Sequence, residues 1–311
     1  MKKSFFFIIG IFFLFSCEEQ INYIPGNVET LPVVNCFFTN DSVFKLWVGT
    51  TNELFSNKNN ILEIKEIFIK DNFDNIITLK KIDDYIYISD SIAKLGRSYN
   101  LYIETKNYGV LTASSSVPSE IPSFDTAYIT GNVFKPFDSY DLYDQLNFNF
   151  YDIPDKENFY EINLFNKKLT SNVIENSPFI LEPVYLYSND IIIKNENIQN
   201  SYQFSFVFSD KLFKNQKAEL ILGGNFHSNS EDSLVIILKN VTKDYYLYRK
   251  SVIQNNNQFD FFSLEYISNM YFVKKQVPIH SNINNGIGIF AGYNNKFYKV
   301  IETIDDFPIS L

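Results

Sequence analysis

Gly96-Arg97-Ser98-Tyr99-Asn100-Leu101-Tyr102-Ile103-Glu104, followed by the turn pair Tyr108-Gly109 and then Val110 to Val117, is the stretch that decides the fold. Side chains of an extended chain alternate between two faces, so Tyr99, Leu101 and Ile103 share one side. Tyr108-Gly109 supplies the break that lets a second strand return. The pattern repeats upstream. Val33 to Phe38 and Val43 to Val48 are separated by Thr39-Asn40-Asp41, and Ile61 to Ile69 and Ile76 to Leu79 by Asp71-Asn72-Phe73-Asp74-Asn75. Tyr85 to Ile88 is one more short β-like run. Strands at this spacing, rich in β-branched and aromatic residues, predict an immunoglobulin-like β-sandwich over 32–118, without the disulfide of antibody domains.

Downstream, two prolines in Pro118-Ser119-Glu120-Ile121-Pro122 disfavour regular pairing and mark a linker. Leu146, Phe148 and Phe150 then alternate with Asn147 and Asn149. With Phe159 to Phe165 across the turn Asp152-Ile153-Pro154-Asp155, they predict a hairpin. Further strands are expected at Val184 to Tyr187, Asp190 to Lys194, Tyr202 to Ser209, Lys217 to Leu222, Leu234 to Leu238 and Phe297 to Ile301. One segment has helical spacing instead. Val241, Tyr245, Tyr248 and Val252 share a helical face, with Thr242 as the cap and Asn255-Asn256-Asn257 as the stop. The expected fold is mainly β: an N-terminal immunoglobulin-like sandwich, then a larger β-rich domain over 119–311 with one packed helix.

The start of the chain speaks to address. Lys2 and Lys3 precede an apolar run from Phe5 to Phe15, and Leu14-Phe15-Ser16-Cys17 follows at once. This is the plan of a secretory signal with a cysteine at the cleavage point, similar to a bacterial lipobox. It assigns 1–16 to a signal peptide, Cys17 to lipid attachment and 17–31 to a polar tether. The run is shorter than the about 20 residues of a membrane-spanning helix. Several acyl chains on one residue give stable anchoring where a single chain does not. Glu18-Glu19 read either as a solvated part of the tether or as similar to the export signal of surface-displayed lipoproteins in Gram-negative bacteria with Sus-type uptake systems, and the expectation is a body that faces the cell exterior.

Charge and chemistry narrow the function. The chain carries 27 basic and 36 acidic residues, a balance that excludes nucleic acid as a partner. Acylation of Cys17 leaves Cys36 as the last thiol, set in a strand and expected to be buried and inert. Gly286-Ile287-Gly288 with Gly292 lacks the flanking helix and the Lys-Ser/Thr pair of a phosphate cradle, so a tight turn feeding a strand is expected. His227 and His280 stand outside any metal-ligand spacing. Acids at Asp71, Asp74, Asp152 and Asp155 fit turn chemistry, and Asp83-Asp84 and Asp305-Asp306 match no calcium loop. Tyr85 and Tyr87 alternate with Ile86 and Ile88, and Tyr266, Tyr271 and Phe272 lie near Met270; in so aromatic a chain these are expected to fill the core. No catalytic residue, cofactor or metal is assigned, and the ligand site is unknown.

Several segments together resemble one family. They are the lipobox with Cys17, Pro32-Val33-Val34-Asn35, Gly96 to Ile103 closing onto Thr112-Ala113-Ser114-Ser115-Ser116-Val117-Pro118, Phe208-Ser209-Asp210, Tyr245-Tyr246-Leu247-Tyr248, and Ser281 to Tyr293. In this order they are similar to the domain-of-unknown-function 4249 family of outer-membrane lipoproteins, members of which are typically encoded beside TonB-dependent transporters. The resemblance implies a lipid-anchored, non-enzymatic accessory subunit of such a transporter, assisting substrate capture or uptake at the outer membrane. It transfers no catalytic residues. The alternative expectation is a stand-alone surface adhesin or glycan-binding protein.

Overall fold

Alternation of buried and outward residues runs through nearly every strand of the computed structural model, which describes residues 30–51, 61–136, 141–174, 177–196, 203–226, 233–256 and 278–300. The first seven strands are β1 (Pro32–Thr39), β2 (Val43–Thr50), β3 (Ile64–Asp71), β4 (Ile76–Lys81), β5 (Ile86–Ile92), β6 (Ser98–Thr105) and β7 (Val110–Ser116). Their order in the sheet is β1-β2-β5-β4-β3-β6-β7. One core fills them. Val34 and Phe38 of β1, Phe44 and Leu46 of β2, Ile69 of β3, and Tyr99 and Ile103 of β6 all belong to it. The ring of Phe38 lies 4.9 Å from Phe44 and meets Tyr99 edge-on at 5.6 Å. The decisive stretch therefore does as its pattern predicts: Tyr99, Leu101 and Ile103 are buried together.

The later strands are β8 (Ser123–Phe134), β9 (Tyr143–Tyr151), β10 (Phe159–Ile174), β11 (Ser177–Pro183), β12 (Leu186–Ser188), β13 (Ser205–Ser209), β14 (Lys217–Gly224), β15 (Ser233–Val241) and β16 (Ile287–Lys299). A four-stranded sheet runs β12-β14-β9-β8. It covers the inner face of β10, β13 and β15, and the layers share a second core of Leu146, Phe148, Phe150, Ile162, Phe208 and Leu238. The expected hairpin of β9 and β10 does not form. β9 pairs with β8 and β14, whereas β10 pairs with β11, β13 and β15. Alternation fixes which face of a strand is buried but not which strand lies beside it. Here the connection crosses between layers, held by Asp152, which accepts bonds from Tyr160 Oη and the Asn215 amide.

The two strand groups meet through the end of the described chain. β16 pairs antiparallel with β15 on one side and parallel with β1 on the other, from Val33 opposite Ile287 to Thr39 opposite Tyr293. Phe290 of β16 thereby joins the first core. The close approach needs glycine: a Cβ on Gly288, whose φ is +116°, would fall 2.1 Å from the Val34 carbonyl oxygen, and one on Gly292 2.1 Å from that of Ser116. These glycines serve strand packing, as the sequence leads one to expect.

Two α-helical segments and a 3-10 turn at Asp210–Leu212 complete the described body. Asp190 to Lys194, expected as a strand, instead forms the one-turn helix α1 (Ile191–Lys194), because Asp190 accepts a bond from the Ile192 amide and caps it. A short apolar run cannot be told from a helical turn by periodicity. The predicted packed helix is α2 (Lys243–Asn256). Its seat differs from the expected stripe: Tyr245, Tyr246 and Ile253 are buried with Val207 and Ile289, while Tyr248 only packs at the edge. Thr242 is not a side-chain cap, since its Oγ1 is buried without a hydrogen-bond partner. Asp244, in the first turn, suits the positive end of the helix dipole. Among the described residues no helix is long and apolar enough to cross a membrane.

Candidate functional site

Two polar clusters among the described residues bear on a candidate site, and they differ in purpose. The first lies under α2. Glu161 on β10 and Lys239 on β15 sit directly opposite each other on the sheet face that the helix covers. Glu161 is only 1% exposed and takes bonds from Lys239 Nζ at 2.6 Å, Tyr245 Oη at 2.6 Å, Arg249 Nε at 3.0 Å and Ser205 Oγ at 3.0 Å. Burial alone would push its carboxyl up, but the Lys239 and Arg249 charges, with the bonds from Lys239 and Tyr245, outweigh burial and bring it down to about 2. Glu196, just after α1, repeats the plan. It accepts from the Ser209 amide and hydroxyl at 2.8 Å, from Lys250 Nζ at 2.6 Å, and from Tyr246 Oη. Tyr245 with Arg249 and Tyr246 with Lys250 are two (i, i+4) pairs on adjacent ridges of one helix. Each pair grips one buried carboxylate. The arrangement clamps the helix to the sheet and leaves neither acid open to a substrate.

The second place is a cleft of about 220 Å³ at the mouth of the second core, lined chiefly by Tyr143, Asn166, Glu182, Tyr185, Tyr187 and Asn225. Its geometry follows from the strands. Asn166 continues the core-facing row of Tyr160, Ile162 and Leu164 on β10, one step past the last buried apolar residue. The Asn166 Oδ1 atom is sequestered from water and has no hydrogen-bond partner, a situation that costs roughly 1–3 kcal/mol. Tyr185 is held by the backbone bonds between Leu186 and Gln203 and rests on Phe204, ring centroids 3.7 Å apart. Tyr143 and Tyr187 pack at 4.7 Å with their hydroxyls 3.4 Å apart. Gly224 permits this crowding, because a Cβ there would lie 2.9 Å from the Tyr185 carbonyl oxygen. The chain thus offers aromatic rings already paired and stiffened, beside amides and a carboxylate.

The residues singled out in the sequence fall as follows. Cys36 is buried, and burial pushes its thiol far up, so it is inert. Asp83 accepts bonds from the Tyr85 and Ile86 amides, and Asp84 pairs with Lys81, both turn roles. Asp71 locks its turn through Phe73, Asn75 and Arg97. His280 Nε2 lies 2.8 Å from the Asp244 carboxylate and ties the approach to β16 to α2. Tyr87 is buried in the first core, and Tyr85 stacks on Trp47 at 5.9 Å. Cys17, His227, Tyr266, Met270, Tyr271, Phe272, Asp305 and Asp306 lie outside the described residues. The cleft tyrosines were not picked out from sequence. Their signal is the alternation of Tyr185 and Tyr187 with buried Val184 and Leu186.

Fold and cleft define a mainly β protein of two sheets with one clamped helix. A family model matches residues 18–298, and the chain belongs to that family, described as Domain of unknown function (DUF4249). No curated protein matches the sequence.

Proposed function

We propose that the protein is a lipid-anchored outer-membrane surface protein, acting as a non-enzymatic accessory subunit of a TonB-dependent transporter and helping to capture or admit its substrate. The observation that carries this is the junction at Cys17. The basic, apolar leader ends on it, and the family match begins at the next residue, 18. The lipobox supports acylation of Cys17, the Glu18-Glu19 pair supports display on the exterior, and the family resemblance supports the transporter partner. Neutralisation of Glu161 by Lys239 and Arg249, and of Glu196 by Lys250, supports a holding role for the buried acids over acid–base work.

Mild detergent extraction followed by affinity purification tests the partner. Co-purification of a TonB-dependent transporter is the expected result. Recovery of this protein alone, from extracts in which that transporter is abundant, overturns it. Cys17→Ala tests the anchor, with loss of fatty-acid labelling and of membrane retention expected. The second reading, a stand-alone adhesin or glycan-binding protein, is favoured by the tyrosine cleft and predicts unaided binding to a ligand.

A further inference from the structure

We infer that the tyrosine cleft is a binding subsite for a neutral saccharide, with Tyr185 as the stacking platform and Asn166 as the polar contact that fixes the ring. The inference starts from what the walls exclude. None of the described lining residues is basic, so the described walls offer a phosphate, sulfate or nucleic acid no cationic partner. Hydroxyls, amides and a carboxylate interrupt the hydrocarbon surface, which disfavours a wholly apolar ligand because those groups would lose their water unpaired. A compact, uncharged molecule with many hydroxyls and an apolar face remains.

The rings argue for the same class. A quaternary ammonium group is recognised by several aromatic faces that surround one point. Here Tyr143 packs against Tyr187 at 4.7 Å, and Tyr185 against Phe204 at 3.7 Å. Each pair makes a stiff plate and not a cage. A sugar ring needs one such plate, laid against its C–H face, and hydrogen-bonding groups at its rim. Asn166 lines the cleft, and an amide both donates and accepts, matching a hydroxyl that does the same. Asn225 supplies a second amide. The volume of about 220 Å³ falls below the roughly 300–1,000 Å³ of sites for drug-sized ligands. It suits one or two sugar units and weak, millimolar-range binding.

The inference stands apart from the transporter reading, since a purified protein with no partner would keep the site. The test is titration of the mature chain in detergent with maltose, cellobiose, xylobiose, lactose, mannobiose and chitobiose, read by saturation-transfer NMR and calorimetry. Choline and inorganic phosphate are run beside them. At least one disaccharide should bind. Tyr185→Ala should weaken it about tenfold or more, Tyr185→Phe should leave it nearly unchanged, and Asn166→Ala should weaken it severalfold. Circular dichroism checks that each variant is folded; Tyr185 is 38% exposed, and its replacement leaves both cores intact. Absence of binding by every disaccharide overturns the inference. So does binding that is indifferent to Tyr185→Ala, or a Tyr185-dependent response to choline or phosphate alone.

Discussion

The core of the first seven strands and the seat of α2 are built on opposite principles. Around Phe38, Phe44, Tyr99 and Phe290 the interior is hydrocarbon and aromatic, with ring centroids 4.8–6.5 Å apart. Under α2 the sheet presents Glu161, and the helix answers with Tyr245 and Arg249. Apolar packing is tolerant of register, because one hydrocarbon can replace another at modest cost. A buried carboxylate is not tolerant. Sliding α2 by one turn would take Arg249 from Glu161 and Lys250 from Glu196, so the clamp fixes where the helix sits. The difference separates a region that supplies stability from one that supplies position.

The largest effect should come from the dry core. Phe38→Ala is expected to cost about 3–5 kcal/mol in urea unfolding at pH 7, with the same loss at pH 5. A markedly pH-dependent loss would break the contrast. Glu161→Gln should come next, at about 3 kcal/mol, near the low end for a broken buried pair, since Lys239 and Arg249 keep 18% and 30% side-chain exposure and can turn partly to water. This variant also carries the pH signature. Unfolded Glu161 takes up a proton near its ordinary value of 4.5, and folded Glu161 only near about 2. Its contribution is therefore complete above about pH 4.5 and is lost as pH falls toward 2. The wild type should lose stability steeply across that window, and Glu161→Gln should lose distinctly less.

Gly288→Ala should cost roughly 1–3 kcal/mol, because alanine disfavours the +116° dihedral and its Cβ would press on Val34. A neutral result would mean that β1 and β16 can separate slightly without penalty. The smallest change should follow Lys80→Ala, which removes an ion pair with Asp90 in which both side chains are about two-thirds exposed. A shift under 1 kcal/mol is expected. A larger one would mean that surface charge contributes more to this fold than the buried clamp implies.

The same contrast explains what could be read from the residues. The seven N-terminal strands follow from local alternation, as at Tyr99, Leu101 and Ile103, and α2 follows from its helical spacing. The clamp was hidden because Glu161 lies 78 residues from Lys239 and 88 from Arg249. Within the strand, that glutamate reads as an ordinary solvent-facing position. The placement of β9 and β10 in different layers was hidden for a similar reason, since alternation is silent about neighbours. The cleft depends on Tyr143 meeting Tyr187 across 44 residues, and only the alternation of Tyr185 and Tyr187 with Val184 and Leu186 is locally visible.

The parallel pairing of β1 with β16 has a consequence for biogenesis. While the polypeptide is being synthesised, β1 emerges early and must wait for almost all of the sequence before its outer hydrogen-bonding edge is covered. Until then the nascent body carries an open ladder and lacks Phe290 in its interior. Open edges invite pairing with other chains, and such long-range closure is slow. A protein wired in this way is open to mispairing until β16 arrives, and removing β16 should yield aggregates, not a smaller folded product.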